Sequence, residues 1–151
     1  MQLKTTRRAF MLTACAAAAV LIAACGGGSA AGPKTSISRV VVAGDSLADV
    51  GTFGMKFTVQ NAANPTAGFP IFPQVVAQNF GIASQCNFYA SATGGASFTT
   101  NPSCTNFAVG GGRVVNPASQ GGAAAPFAVP AQLATAATVN GGAWAPTDLL
   151  L

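Results

Sequence analysis

The chain has 151 residues, half of them hydrophobic, with seven cationic and three acidic side chains and a formal net charge of +4. Three of the cations, Lys4, Arg7 and Arg8, precede an apolar stretch at the amino terminus. The other four are scattered among three aspartates, so the rest of the chain has a formal net charge of +1. The sequence therefore offers no basic patch of the kind that binds nucleic acid.

Residues 1–24 have the layout of an export signal. Basic residues precede an apolar run from Phe10 to Ala24, and small residues lead up to Cys25. The run is shorter than the roughly 20 apolar residues that cross a bilayer, which argues against a retained membrane span. The pair Arg7-Arg8 is typical of a twin-arginine signal and also of ordinary secretory signals, so both export routes stay open.

The end of this signal, Leu21 to Cys25, resembles a bacterial lipobox, in which cleavage leaves an acylated cysteine as the first mature residue. Each buried methylene contributes ~0.8 kcal/mol, so a multiply acylated Cys25 would hold the protein on a membrane. Residues 25–36 then form a small-residue stretch that predicts a flexible tether. We expect an exported outer-membrane lipoprotein on the periplasmic or cell-surface side; the alternative is a plain signal peptide with an incidental cysteine.

Residues 37–151 alternate apolar strands with helices, a pattern that predicts one α/β domain with a parallel sheet. Each predicted helix has proline in its first turn and glycine just after its end. In chain order, we predict a strand at Arg39–Ala43, a helix at Pro73–Asn79, a strand at Asn106–Val109, a helix from Pro130 to Val139 and a strand at Asp148–Leu151. Residues 54–69 and 84–102 lack periodicity and predict long loops that flank a substrate groove.

The first predicted strand runs directly into a tight turn that holds Ser46. Residues 40–43 are apolar on both faces, as in a buried parallel strand, and Gly44 allows the chain to turn sharply where the strand ends. Ligands of open α/β sheets bind at the carboxyl ends of the strands. Ser46 is therefore the candidate nucleophile, and an ordinary structural turn is the alternative.

A second apolar segment, residues 106–114, opens into three successive glycines whose N–H groups can face an anion. Its spacing matches neither the dinucleotide-binding fingerprint nor the Walker loop. Together with Gly44-Asp45-Ser46-Leu47, and with Asp49 and Gly51 behind it, this segment resembles the first two sequence blocks of the GDSL (SGNH) family of esterases and lipases.

The resemblance implies a three-layer α/β/α, flavodoxin-like parallel sheet and hydrolysis of carboxylic esters of lipids or other acyl substrates. By position it makes Ser46 the nucleophile and assigns the oxyanion hole to the amides of Ser46 and Gly111. We expect Asp45 and Asp49 to be structural and to hydrogen-bond backbone near the turn. Asn106 is expected to steady the second turn.

The chain departs from the family in one respect, because it contains no histidine. The family takes its general base from an Asp-x-x-His motif and a further oxyanion donor from a Gly-x-Asn-Asp block, and neither motif occurs here. We therefore expect an amino-terminal part of such a domain, which by itself lacks esterase activity. The alternative function is a non-catalytic surface lipoprotein that uses the same scaffold for binding.

Two cysteines outside the signal, Cys86 and Cys104, are available to form a disulfide in an oxidising compartment, and two free thiols are the alternative. No metal site is indicated, because two cysteines without histidine do not complete a zinc shell. No cofactor is expected. The expected partners are an ester or lipid substrate and, through Cys25, a membrane.

Overall fold

In the computed structural model, residues 36–64, 67–82, 85–114 and 126–151 are described. The predicted signal, Cys25 and nearly all of the tether lie outside these residues. In chain order, the regular elements are β1 (Arg39–Val41), α1 (Phe72–Asn79), β2 (Tyr89–Ala90), β3 (Thr99–Thr100), α2 (Val129–Val139) and β4 (Asp148–Leu150). Over these described residues the fold is mixed α/β, with two helices and a small parallel sheet.

The parallel sheet pairs β1 with β4 in the register Arg39–Asp148, Val40–Leu149 and Val41–Leu150. The side chains of the first pair in this register also form an ion pair, in which Arg39 Nη2 lies 2.6 Å from Asp148 Oδ2. The hydrogen bond from Arg39 holds the pKa of the Asp148 carboxyl below its ordinary value. The predicted first and last strands are therefore adjacent in space.

Residues 105–109 extend this sheet on the other side of β1, although they pair through isolated bridges and not as a regular strand. Val42 N donates to Thr105 O (3.0 Å), Phe107 N donates to Val42 O (2.7 Å) and Val109 N donates to Gly44 O (3.2 Å). The bridge between Val42 and Asn106 is parallel. The segment expected as a strand thus runs beside β1, and β1 lies between it and β4.

The two faces of the sheet pack against different helices, because alternate side chains of a strand point in opposite directions. Val40 and Val42 join a buried cluster with Ala77 of α1. Val41 joins a second cluster with Ala136 of α2, together with Phe107 and other aromatic residues. Each helix therefore covers one face of β1.

Both helices begin one residue earlier than predicted, with Pro73 and Pro130 in the first turn. In α1, the Gln74 side chain accepts a hydrogen bond from Ile71 N (3.2 Å) at the helix start. After α2, Gly141 N and Gly142 N donate to carbonyls of the last helical turn. The proline and glycine signals in the sequence thus mark real helix ends.

The segment predicted as a loop at residues 84–102 contains a short antiparallel hairpin, which corrects that expectation. Tyr89 pairs with Thr100, and Ala90 pairs with Thr99. Two-residue strands are too short to show the alternation by which strands are recognised in a sequence. A disulfide between Cys86 and Cys104, with Cα atoms 5.0 Å apart, brackets the hairpin. Closing a loop of this size stabilises a fold by about 3 kcal/mol in the chain-entropy account.

In the part of the chain that the structure describes, no helix has the length and apolar character needed to cross a bilayer.

Candidate active site

The turn after β1 places Ser46 at the carboxyl end of the sheet. Gly44 has φ of +154°, a backbone conformation that side-chain-bearing residues rarely adopt. Asp45 then organises the turn: its carbonyl accepts from Ala48 N (3.1 Å) and Asp49 N (3.0 Å), and its Oδ1 accepts from Leu47 N (2.9 Å). Asp45 thus bonds the turn backbone, as the sequence suggested.

Ser46 is left without a hydrogen-bond partner in this turn. Within the described residues, neither its N–H nor its hydroxyl makes a hydrogen bond, and its side chain is half-buried. The adjacent N–H groups of Leu47 and Ala48 are both used by Asp45. Both polar groups of Ser46 that matter for acyl chemistry are therefore available to a ligand.

Asp49 connects this turn to the glycine segment. Its carboxylate is fully buried, and Oδ1 accepts from Gly51 N (2.8 Å) and Thr52 N (2.7 Å). The other oxygen, Oδ2, accepts from Gly110 N (2.7 Å). One carboxylate therefore fixes both the segment that follows Ser46 and the first glycine of the bend.

Asn106 makes a second buried connection between the same two segments. Its Nδ2 donates to Ala48 O (2.8 Å), and its Oδ1 accepts from Ala108 N (3.0 Å). The residue is fully buried, so the loss of either contact would leave one half of the amide without a partner. Asn106 thus bonds its own segment and also anchors the turn that carries Ser46.

The bend at Gly110–Gly112 leaves one amide free. Gly110 N is bound by Asp49 and Gly112 N donates to Val109 O (2.8 Å), whereas Gly111 N has no partner among the described residues. Gly111 has φ of +87°, which favours glycine. Gly112 is held against the first turn, since a Cβ there would lie 2.5 Å from Gly44 O. No side chain fits at that contact.

Ser46 and Gly111 line the same cavity, which has a volume of about 530 Å³. Its other walls are largely apolar and consist of Phe53, Met55, Phe57, Gly94, Gly110 and Phe127. The two amides that the family resemblance singled out both lack a hydrogen-bond partner among the described residues. The cavity therefore brings together a hydroxyl, two free N–H donors and an apolar surface.

Sequence reasoning missed Gln132, which is fully buried on α2. Its Oε1 accepts from Gly44 N (2.7 Å), and its Nε2 donates to Gly44 O (3.0 Å) and Pro126 O (2.6 Å). Gln132 therefore pairs with both backbone groups of the residue two positions before Ser46. A lone glutamine in an Ala-rich helix carries no sequence signal for this role.

Comparison with protein-family models found no match, and comparisons with curated proteins and with solved structures found none either.

A hydroxyl beside unpaired amide donors is an arrangement that acyl-transfer chemistry can use to supply a nucleophile and to stabilise charge. Donors that are preorganised around a developing oxyanion are the largest single contribution in such chemistry. A serine hydroxyl also needs a base to accept its proton, and the chain has no histidine for that role. Over the described ranges, His, Cys, Asp and Glu side chains form no group that could hold a metal ion.

Proposed function

We propose that this chain carries the nucleophile and oxyanion half of a GDSL-type serine ester hydrolase. The observation that carries the proposal is the shared cavity, in which the Ser46 hydroxyl and the free amides of Ser46 and Gly111 meet an apolar wall. The substrate is a carboxylic ester with an apolar acyl group, because the cavity offers such a group phenylalanine and methionine side chains.

The order of the paired segments supports the proposed three-layer sheet. Residues 105–109 and β4 flank β1, so the first strand lies between two later ones. Flavodoxin-like sheets have this order, and they bind ligands where the strand order reverses. The turn after β1 is at that position, and the helices α1 and α2 pack on opposite faces of β1.

In the proposed reaction, Ser46 Oγ attacks the acyl carbon, and the carbonyl oxygen becomes an oxyanion that accepts hydrogen bonds from the amides of Ser46 and Gly111. The Ser46 proton passes to a base that is not a histidine of this sequence. The protonated base then gives this proton to the leaving alkoxide, so that the alcohol departs and an ester on Ser46 remains. Without an imidazole, turnover is expected to be on the order of 10⁶ below that of a complete triad enzyme.

Slow deacylation makes the acyl adduct the best measure of this proposal. When the protein is incubated with p-nitrophenyl acetate, with imidazole added as an external base, we expect acetylation at Ser46. Peptide mass spectrometry locates the adduct and gives its amount. Labelling of Ser46 should exceed that of the exposed Ser103 by at least about tenfold, because an oxyanion-hole donor contributes on the order of 10² in rate.

Two variants serve as controls for this experiment. Ser46→Ala should abolish the fast-labelled site. Ser38→Ala, which removes an exposed hydroxyl just before β1 and outside the Ser46 cavity, should leave labelling of Ser46 unchanged. Equal labelling of Ser46 and Ser103 would contradict the proposal.

We also propose that the protein is an exported lipoprotein anchored through Cys25. The basic start, the apolar run and the small residues before Cys25 support this assignment. In a bacterium that expresses the full chain, radiolabelled palmitate should be incorporated into the protein and the product should fractionate with membranes. Cys25→Ser should abolish labelling and Cys15→Ser should retain it; equal labelling of both variants would refute the anchor.

A further inference from the structure

The geometry points to Phe53 as the residue that sets the length of acyl chain the site accepts. This inference rests on the proposed function and goes beyond it, because it concerns a wall between two cavities. One is the Ser46 cavity. The other, which we call the hairpin cavity, has a volume of about 410 Å³ and lies against the β2–β3 hairpin. Phe53 lines both.

In the Ser46 cavity, the polar groups and the apolar wall are separate. Ser46 and Gly111 supply the hydroxyl and the free amides, and Phe53, Phe57 and Phe127 supply aromatic surface. An acyl group whose carbonyl lies at the amides therefore extends its chain towards the phenylalanines. A short chain fits in front of Phe53, and a longer one meets its ring.

Because Phe53 is common to both linings, we infer that the hairpin cavity lies behind its ring. Much of its wall is small, with Gly51, Gly54, Ala90 and Ala92 among the lining residues. Thr93 and Gly94 are consecutive residues, and the first lines the hairpin cavity whereas the second lines the Ser46 cavity. The two spaces therefore share the Thr93–Gly94 backbone as well as Phe53.

Hydroxyl groups in the hairpin cavity are already hydrogen-bonded within the protein. Ser91 Oγ accepts from Gly95 N (2.8 Å), Thr93 Oγ1 accepts from Ser97 N (2.9 Å), and Thr52 Oγ1 donates to Ala108 O (3.2 Å). A polar ligand would have to compete with these bonds, whereas an alkyl chain would leave them intact. The hairpin cavity is therefore suited to the end of a hydrocarbon chain.

Neighbouring rings hold Phe53 in place as the wall. Its ring stacks on Phe127 (centroids 6.4 Å apart) and lies edge-on to Phe57 (5.7 Å) and Phe98 (6.3 Å). These aromatic geometries are favourable and fix the ring plane. Shortening Phe53 should join the two cavities, whereas shortening Phe80, an exposed residue just after α1, should not, because Phe80 lines neither of them.

Binding of straight-chain alkanoates, from butanoate to dodecanoate, tests this inference by isothermal titration calorimetry without any chemistry at Ser46. Each methylene that enters an apolar cavity should tighten binding by about fourfold. In the natural protein, the gain in affinity per methylene should stop at the chain length that reaches Phe53, and we call this length the break in the series. In Phe53→Ala, the gain should continue to longer chains and give at least a tenfold higher affinity for dodecanoate.

Two further variants complete the test. Phe80→Ala, which removes the same type of side chain away from both cavities, should keep the natural break in the length series. Phe53→Leu preserves more packing and should move the break by a smaller amount, so it replaces Phe53→Ala if that variant does not fold. An unchanged break in the folded Phe53 variants, or no binding of any alkanoate, overturns the inference; acetylation of Ser46 tests the proposed function separately.

Discussion

Replacing Asp49 with asparagine is expected to lower the free energy of unfolding by about 3 kcal/mol, because hydrogen bonds to a buried charged group contribute about 1.5–3 kcal/mol each. The carboxylate accepts three N–H donors, two on one oxygen and one on the other. Asparagine has one acceptor oxygen, so its NH₂ group must face at least one N–H in either orientation. Urea unfolding followed by circular dichroism measures the loss.

The same variant should also loosen the glycine bend, since Gly110 N is bound to Asp49 Oδ2. Amide hydrogen exchange at Gly110 should become faster, and acetylation of Ser46 should fall with it. Asp45→Asn is the matched control, because Asp45 bonds the exposed Leu47 amide through a single carboxylate oxygen. Its cost should stay below about 1 kcal/mol. Equal costs for the two variants would refute the role given to Asp49.

Gln132→Leu should lower the free energy of unfolding by about 3 kcal/mol, although leucine has nearly the same size. The substitution removes three part-buried hydrogen bonds and leaves the Gly44 N–H and the Pro126 C=O without a partner, whereas the Gly44 C=O still accepts from Val109 N. Each buried group left unsatisfied costs about 1–3 kcal/mol, which the added apolar surface offsets in part. Thermal and urea unfolding both report the change.

Gln78→Leu provides the comparison for this prediction. Gln78 lies on α1, is exposed, and its side chain makes no hydrogen bond within the described residues, so its replacement should change stability by less than about 0.5 kcal/mol. A Gln132→Leu variant that is as stable as Gln78→Leu would show that Gly44 does not depend on the glutamine.

The elements that could be predicted are those whose ends depend on residues close by in the sequence. Proline in the first turn and glycine after the last turn predicted the ends of both helices to within a residue or two. The apolar run before Gly44 predicted β1. Residues 105–109 were recognisable as extended, but the bridges that pair them with β1 depend on neighbours far away in the sequence. The hairpin was missed because each of its strands has only two residues.

The parts of the candidate site that the local backbone forms could be predicted from the sequence. The part that depends on a side chain distant in the sequence could not. Gly44 and Gly111 stand out because only glycine readily takes their backbone angles, and Ser46 follows from its place after the strand. Gln132 could not be predicted, since its partner lies 88 residues away and the helix pattern treats it as one more polar residue. Phe53 lines two cavities, a tertiary feature that its neighbours in the sequence do not indicate.

Contacts of long sequence separation hold the Ser46 turn, and this has a consequence for folding order. Asp49 and Gly110 are 61 residues apart, and Gly44 and Gln132 are 88 residues apart. Closing such large loops costs entropy before the contacts can stabilise them. The turn should therefore gain its final geometry late, when α2 docks, and a nascent or partly unfolded chain should be unable to bind an acyl group.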